Sequence, residues 1–152
     1  MEAAKDAGVA LSLALMIAVL LALLLLVGWR PARRLLLIRH LREPLWAVSP
    51  TARVEQGWRL VEIALGDMGV HPEPGEDATG LARRARPELQ RRSPVEVHGL
   101  AEAAEAADRV RFGLGVGPGD VALMERFSAW AMDTIWERLP EREQLRCMYR
   151  AL

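Results

Sequence analysis

The residues of this sequence that could act as nucleophiles, bases or metal ligands are few and scattered. Among its 152 residues are three histidines and one cysteine: His40, His71, His98 and Cys147. A catalytic cysteine needs a base that takes its proton and a third group that orients that base. No histidine lies near Cys147 in the sequence, so a small hydrolase built on this cysteine is the weakest functional alternative.

The other patterns that suggest chemistry have simpler explanations. No two histidines have the spacing of metal ligands on a helix. Residues 113–119 (GLGVGPG) are rich in glycine, but they lack the Gly-Lys-Ser/Thr ending of a phosphate-binding loop and follow no buried strand. Glu102, Glu105 and Asp108 share a helix face that is typical of a solvated stripe. We therefore predict a protein that is not an enzyme, with no catalytic residue, metal or cofactor.

The clearest pattern is an uncharged apolar segment. Residues 7–29 carry no formal charge, and a helix over 9–29 would be roughly 30 Å long, which matches the hydrocarbon core of a bilayer. A cleaved signal peptide would have a basic start, a shorter apolar core and a small-residue cleavage site. A buried core helix would rarely present so long an uncharged run. The sequence therefore predicts a transmembrane helix over 9–29.

Basic residues predict the orientation of this helix. Lys5 precedes it, whereas an arginine cluster follows it, and basic residues accumulate on the cytoplasmic side of membrane helices. Arginines at this position also attract anionic head groups. We predict an extracytoplasmic amino terminus and a cytoplasmic carboxyl-terminal domain at a bacterial inner membrane. The predicted contacts with the membrane surface are Trp29, Arg30, Arg33, Arg34, Arg39 and Arg42.

Composition narrows the possible partners. Lys and Arg together number 20 and so do Asp and Glu, so no net charge steers the chain toward nucleic acid. The arginine cluster could in principle bind nucleic acid, but a membrane edge already explains it, and we predict no nucleic-acid partner. The single cysteine excludes an internal disulfide.

The remaining sequence predicts helices and no strand. The predicted fold is all-α, with one N-terminal transmembrane helix followed by a small cytoplasmic helical bundle. The predicted divisions are an extracytoplasmic segment 1–8, the transmembrane helix 9–29, a basic juxtamembrane helix 30–45 that begins at Pro31, a helical domain 46–139 and a C-terminal helix 140–152.

Apolar stripes and caps predict the first two helices of the domain. Ser49 caps a helix that Gly69 ends. Asp77 or Thr79 caps a short helix that stops before Pro87. The stripe of the first helix is Val54, Trp58, Val61, Leu65 and Met68.

The same signals predict the later helices. Residues 93–96 form a capping box for a central helix that Gly113 ends, with the stripe Val97, Leu100, Ala104, Ala107 and Val110. Asp120 caps the last long helix, and Pro140 separates it from an exposed terminal helix. The inner face of the last long helix is Val121, Met124, Phe127, Ala131 and Ile135, flanked by Trp130 and Trp136.

Two surfaces are candidates for partner docking. The basic patch also has a simpler interpretation, as a solvated face partly paired with Glu76, Asp77 and Glu88. The candidate docking residues are Arg83, Arg84, Arg86, Arg91 and Arg92 in this patch, and Leu145, Met148, Tyr149 and Leu152 on the terminal helix.

Three short motifs lie between 46 and 139: Met68-Gly69 at a helix end, Glu76-Asp77-x-Thr79 after a proline-rich connector, and the sequence DRVRFG at 108–113. In this order they resemble the C-terminal domain of unknown function of bacterial transglutaminase-like membrane proteins. Phe112 stands where the family usually has Tyr, and no Pro follows Thr79. No transglutaminase core precedes the apolar segment, so the resemblance implies a stand-alone accessory domain.

Two functions follow as hypotheses. The favoured one is a single-pass membrane-anchored adaptor whose cytoplasmic domain docks protein partners. The family resemblance implies a MoxR-type AAA ATPase or a von Willebrand-type protein as such a partner. The alternative is a regulatory or ligand-sensing module that controls an enzyme supplied by another chain, with a pocket lined by Trp58, Trp130 and the loop around His71.

Overall fold

The computed structural model describes residues 2–42, 49–92 and 97–149, and this part of the chain is all-helical, with no strand. The predicted fold class is confirmed. The helices are α1 (Glu2–Arg42), α2 (Pro50–Asp67), α3 (Ala78–Arg92), α4 (Val97–Arg111), α5 (Asp120–Arg138) and α6 (Glu141–Tyr149).

Helix α1 is continuous from the apolar segment into the domain. The predicted start of a separate helix at Pro31 is wrong, because Pro31 lies inside α1. Proline is tolerated within long apolar helices when neighbouring structure supports the backbone around it, and Arg34, Ile38 and Leu41 pack against the domain one to three turns later. By length and composition, α1 contains the one helix among the described residues that could cross a membrane.

Helix α2 has the predicted ends and the predicted buried face. The Ser49 hydroxyl accepts a hydrogen bond from the Ala52 N–H at 3.3 Å. At the other end, Gly69 has a φ of +89° and the Val70 N–H donates to the Leu65 carbonyl, which is a Schellman motif. The stripe from Val54 to Leu65 is buried, and Met68 packs against it.

Helix α3 is longer than the sequence indicated. The prediction that it stops before Pro87 is wrong, because the helix continues to Arg92 with Pro87 inside it. Leu89 beyond the proline is 1% exposed, in the core. Burial of this side chain offsets the hydrogen bond that proline removes. The Asp77 carboxylate caps the helix, accepting from the Gly80 N–H at 2.6 Å.

Helices α2, α4 and α5 form the centre of the domain. Each contacts the other two, α3 packs on α4, and α1 packs on α2 and α6. A side chain at Gly57 would meet Met124, and one at Gly99 would meet Phe127, so glycine permits close approach of α5 to both helices. Among the predicted inner residues with described side chains, Leu100, Ala104, Ala107 and Val110 of α4 and Met124, Phe127, Ala131 and Ile135 of α5 are buried, and Val121 is half-buried.

The ends of α4 and α5 differ in part from the prediction. Gly113 has a φ of +73° and Leu114 donates to Arg109, so the predicted end of α4 is confirmed. The cap of α5 is Gly119 rather than Asp120, which is the first helical residue. The predicted capping box at 93–96 and the side chain of Val97 lie outside the described residues.

Candidate functional site

The junction between α1 and the domain is built around a buried arginine. Arg34 is 4% exposed, and its Nη2 donates to both oxygens of Asp67 at 2.6 and 2.5 Å. Its Nη1 donates to the Cys147 carbonyl at 2.6 Å. The Cys147 thiol lies 3.7 Å from the Asp67 carbonyl oxygen. One guanidinium therefore connects α1, α2 and α6.

The prediction that Arg34 contacts the membrane surface is wrong. Its position in α1 aligns it with Ile38 and Leu41, which face the domain, and Asp67 neutralises it there. The remaining predicted surface residues are exposed: Trp29, Arg30, Arg33, Arg39 and Arg42. Of these, Arg42 also donates to Asp133 of α5 at 2.8 Å. The cluster is thus divided between an exposed set and one structural residue.

The Arg34–Asp67 pair makes the junction sensitive to substitution. A buried ion pair gains little over an apolar pair, but removal of one partner leaves a buried charge uncompensated. No buried polar side-chain atom in the described part of the chain lacks a hydrogen-bond partner. The pair therefore holds α1 on the domain through contacts that neither partner can lose alone without leaving the other charge buried.

An open groove lies beside this junction. Its volume is about 260 Å³, and α1, α5 and α6 form its walls. The lining residues are Pro31, Arg34, Leu35, Ile38, Arg42, Met132, Asp133, Trp136, Glu137 and Met148. Methionine and tryptophan give it adaptable apolar walls, and Asp133 and Glu137 place two carboxylates on one of them. The groove begins at Pro31, two residues after the predicted transmembrane helix.

Helix α6 is partly integrated into the domain. Cys147 is 3% exposed and belongs to the core. Met148 is half-buried and lines the groove, whereas Leu145 and Tyr149 are exposed. Of the predicted docking residues on this helix, Leu152 lies outside the described part of the chain. Gln144 donates to the carbonyls of Trp136 and Leu139, which ties α6 to the end of α5.

The predicted basic patch on α3 separates into structural and exposed arginines. Arg84 donates to Glu76 and to the His71 carbonyl, both at 2.6 Å. The hydrogen bond between Arg84 and Glu76 lowers the pKa of Glu76 and raises the pKa of Arg84. Arg91 pairs with Glu88 at 2.5 Å but remains 74% exposed.

Arg83 and Arg86 present the exposed charge of this patch. They line a cavity of about 140 Å³ between α3 and α4, together with Thr79 and Glu105. Both arginine side chains are exposed to solvent. The side chain of Arg92 lies outside the described residues. The patch that remains available to a partner is therefore centred on Arg83 and Arg86.

The structure brings together the motif segments near 76–79 and 108–113. Asp108 accepts from the backbone N–H groups of Ala78 and Thr79 at 2.8 and 2.9 Å, and from the Thr79 hydroxyl at 2.6 Å. The expectation that Asp108 belongs to a solvated stripe is therefore wrong. Arg111 reaches the Glu76 carbonyl at 3.2 Å. These two motif segments therefore form one hydrogen-bonded contact between the start of α3 and the end of α4.

Asp120 forms a second hydrogen-bonded contact, between the start of α5 and the end of α4. Its carboxylate accepts from Arg109 at 2.6 Å and from the Gly117 N–H at 2.7 Å. Burial alone would raise the pKa of Asp120, but the hydrogen bonds from Arg109 and Gly117 and the Arg109 charge hold it below its ordinary value. These hydrogen bonds tie the glycine-rich segment before α5 and the end of α4 to the first residue of α5.

The residues of the predicted sensing pocket differ in their surroundings. Trp58 is 7% exposed and belongs to the core, and its indole N–H donates to Glu62 at 2.8 Å. Burial raises the pKa of Glu62, partly opposed by this hydrogen bond and by Arg111 and Arg59. His71 is exposed, and Trp130 stacks at an angle on Phe127. Among the described residues, no group of His, Cys, Asp and Glu could hold a metal ion.

Comparison with known proteins adds no family. No family model, curated protein or solved structure matches the chain. The resemblance to the transglutaminase-associated domain therefore remains a prediction from the motifs.

Sequence reasoning missed Asp67 and the role of Asp108. The sequence did contain a signal for the Arg34–Asp67 pair. Arg34, Ile38 and Leu41 repeat at helical spacing, so Arg34 shares the apolar face of α1. Asp67 likewise stands between Leu65 and Met68 at the end of the α2 stripe. A charge placed on each of two apolar faces indicates a buried pair.

Proposed function

We propose that this protein is a single-pass membrane-anchored adaptor whose cytoplasmic helical domain docks protein partners. One observation carries the proposal. Residues 13–30 of α1 are exposed, while the same uninterrupted helix is fixed to the domain by the buried Arg34–Asp67 pair. A domain held in this way follows the position and orientation of the helix.

The exposure of α1 supports a membrane location. Leu24, Leu25 and Leu26 are 62 to 76% exposed, and the other large apolar residues of this segment are exposed to a similar degree. An apolar helix that packs on nothing is unstable in water, whereas each leucine near the bilayer centre favours insertion by about 0.3–0.6 kcal/mol. The continuity of α1 into the domain also favours an anchor over a cleaved leader.

The exposed arginines support the proposed orientation. Arg30, Arg33 and Arg39 follow the apolar segment and face solvent. Each arginine near an anionic surface contributes about 1 kcal/mol of attraction. The domain would then sit against the inner surface of a bacterial cytoplasmic membrane, with the amino terminus outside.

The basic face of α3 is the proposed docking surface. Arg83 and Arg86 lie one turn apart on α3, and both are exposed at the rim of the cavity between α3 and α4. A partner with an acidic surface would complement them. A MoxR-type AAA ATPase or a von Willebrand-type protein is the partner class that the family resemblance implies.

Extraction with mild detergent tests the adaptor role. The wild-type protein should co-purify with a stoichiometric protein partner, and Arg83→Glu with Arg86→Glu should lose it. Arg126→Glu, an exposed arginine on α5, is the matched control and should retain the partner. Recovery of the protein without any partner under several mild conditions would contradict the proposal, as would equal loss in the control.

A further inference from the structure

We propose that the cavity between α3 and α4 receives one leucine-sized side chain from an acidic segment of a protein partner, whose carboxylates pair with Arg83 and Arg86. This inference rests on the docking role proposed above. It specifies what the docking surface recognises, which is a single apolar side chain with acidic residues next to it.

The cavity has the size and the lining for one apolar side chain. Its volume is about 140 Å³, and an apolar cavity of about 150 Å³ binds a molecule of benzene. Leu100 and Ala82 line it and are 1 and 5% exposed, so they form an apolar floor, and Ala101 stands beside them at the surface. A leucine or phenylalanine side chain fits this space, whereas the acyl chain of a membrane lipid exceeds it.

The hydrogen bonds of Asp108 hold the cavity in shape. Thr79 lines the cavity on the α3 side, and its backbone N–H and its hydroxyl donate to Asp108 at 2.9 and 2.6 Å. Asp108 lies one turn beyond Glu105, which lines the cavity on the α4 side. The two walls are therefore fixed to each other before a partner arrives, and a preformed site loses less conformational freedom on binding.

The two arginines at the rim are available to carboxylates. Within the described part of the chain, neither Arg83 nor Arg86 takes part in a hydrogen bond or an ion pair. Arg84 and Arg91 on the same helix are paired with glutamates. Side chains three positions apart are neighbours on a helix surface, and guanidinium groups bind carboxylates through strong, charge-assisted hydrogen bonds. The free charge on this wall of the cavity is thus complementary to an acidic segment.

Glu105 distinguishes a peptide segment from a nucleic acid. It is exposed on the α4 side of the same cavity, opposite in charge to Arg83 and Arg86. A nucleic-acid backbone would bring phosphates toward this carboxylate as well as toward the arginines. A peptide can direct its acidic side chains toward α3 alone while its apolar side chain enters the cavity. An apolar anchor in a pocket, accompanied by arginine, is also the usual centre of a protein interface.

Peptide binding to the full-length protein tests the inference. The probe is a fluorescein-labelled peptide, Gly-Asp-Glu-Leu-Glu-Asp-Gly, and the protein is held in phosphatidylcholine nanodiscs, which carry no net charge. Fluorescence anisotropy measures the affinity. A peptide with alanine in place of leucine should bind about tenfold more weakly or worse, because it buries less apolar surface. A peptide with asparagine and glutamine in place of the acidic residues should not bind.

Variants of the protein separate the cavity from the charges. Ala101→Leu fills the cavity and leaves every charge in place, so it should weaken binding by about tenfold or more. Ala129→Leu on the exposed surface of α5 is the matched control and should bind as the wild type does. Arg83→Gln with Arg86→Gln should lose binding, whereas Glu105→Gln should strengthen it, because it removes a carboxylate that repels the peptide.

Three outcomes overturn the inference. They are equal binding of the leucine and alanine peptides, unchanged binding by Ala101→Leu, and competition by N-acetyl-leucine as strong as that by the peptide, which would make a small carboxylate the ligand.

The co-purification described above separates this inference from the adaptor role. A partner that is lost with Arg83→Glu and Arg86→Glu but retained with Ala101→Leu supports the adaptor role and contradicts the use of the cavity. Peptide binding by a protein that co-purifies with no partner contradicts the adaptor role alone.

Discussion

At the scale of single residues, three charged side chains hold helices together through hydrogen bonds that a neutral side chain at the same position would not make as well. Arg34 connects α1 to α2 and α6, Asp108 connects α4 to α3, and Asp120 connects α5 to α4. Each is at least half-buried and hydrogen-bonded to groups on another element. The loss of any one removes hydrogen bonds that join two helices.

Removal of the Asp67 charge should strongly destabilise the domain. Asp67→Asn leaves Arg34 buried without its counter-ion, and we expect the free energy of unfolding to fall by about 3–5 kcal/mol. Urea unfolding of the full-length protein in detergent micelles, followed by tryptophan fluorescence, measures this change.

The control for this substitution is an exposed pair. Glu125→Gln breaks the exposed ion pair with Arg53 and should cost less than about 1 kcal/mol. Arg34→Met combined with Asp67→Leu should recover most of the stability, because an apolar pair can replace a buried ion pair. Equal losses in Asp67→Asn and Glu125→Gln would show that the buried pair has no special role.

Asp120 should make the free energy of unfolding depend on pH in the acidic range. Its pKa is lower in the folded protein than in the unfolded chain, so its contribution is complete above the unfolded pKa of about 4 and is lost as the pH falls toward the folded pKa. Asp120→Asn should lower the free energy of unfolding at pH 7 by about 1–3 kcal/mol.

The pH dependence of that difference is the informative measurement. The gap between wild type and Asp120→Asn should shrink steadily between pH 5 and pH 3, because protonation removes the same charge from the wild type. A gap that stays constant over this range would mean that the hydrogen bonds to Arg109 and Gly117 do not depend on the charge of the carboxylate.

Charged residues were the least predictable part of the molecule. The sequence places Arg34 among four other arginines that face solvent, and the partner that buries it lies 33 positions away. Asp108 similarly stands in a helix beside exposed Glu102 and Glu105. Only the packing of one helix on another decides which charge in such a group is enclosed.

At the scale of elements, the ends and faces of helices follow local rules until packing opposes them. Ser49, Gly69 and Gly113 behave as their types predict, because each cap is satisfied within a few residues. The apolar stripe of α2 is buried as predicted. Pro31 and Pro87 do not end their helices. Ile38 and Leu41 after Pro31 pack against the core, and Ala85 and Leu89 on either side of Pro87 are buried in it.

Asp108 should control the start of α3. It satisfies two backbone N–H groups that the helix cannot pair itself. Asp108→Ala should cost about 1–3 kcal/mol and should speed amide hydrogen exchange at Ala78 and Thr79 in particular. Glu102→Ala, an exposed change on the same helix, serves as the control. Similar exchange rates in the two variants would contradict the capping role.

Replacement of Pro87 should stabilise α3. The proline is exposed within the helix, so Pro87→Ala restores a backbone hydrogen bond and removes no buried contact. Proline in a helix interior costs about 3 kcal/mol relative to alanine, and we expect a gain of up to that size. Thermal unfolding by circular dichroism measures it. A lower melting temperature would mean that the proline supports a kink that α3 needs.

At the scale of the whole molecule, α1 has two parts with different surroundings. Its residues 13–30 are exposed in the described part of the chain, while its last turns belong to the domain. The apolar segment and the all-helical class were evident in the sequence, because both depend on composition and periodicity. The groove was not, because its walls come from three helices whose relative placement no local pattern specifies.

The central claim is that α1 spans a bilayer with the domain on the cytoplasmic side. Labelling with a membrane-impermeant maleimide in intact bacterial cells tests it most directly, with Ala3→Cys on the amino side and Ala129→Cys on the exposed surface of α5. Cys147 is buried and provides the blank. We expect Ala3→Cys to react in intact cells and Ala129→Cys to react only after permeabilisation. Labelling of Ala129→Cys in intact cells, or recovery of the protein in the soluble fraction, would contradict the claim.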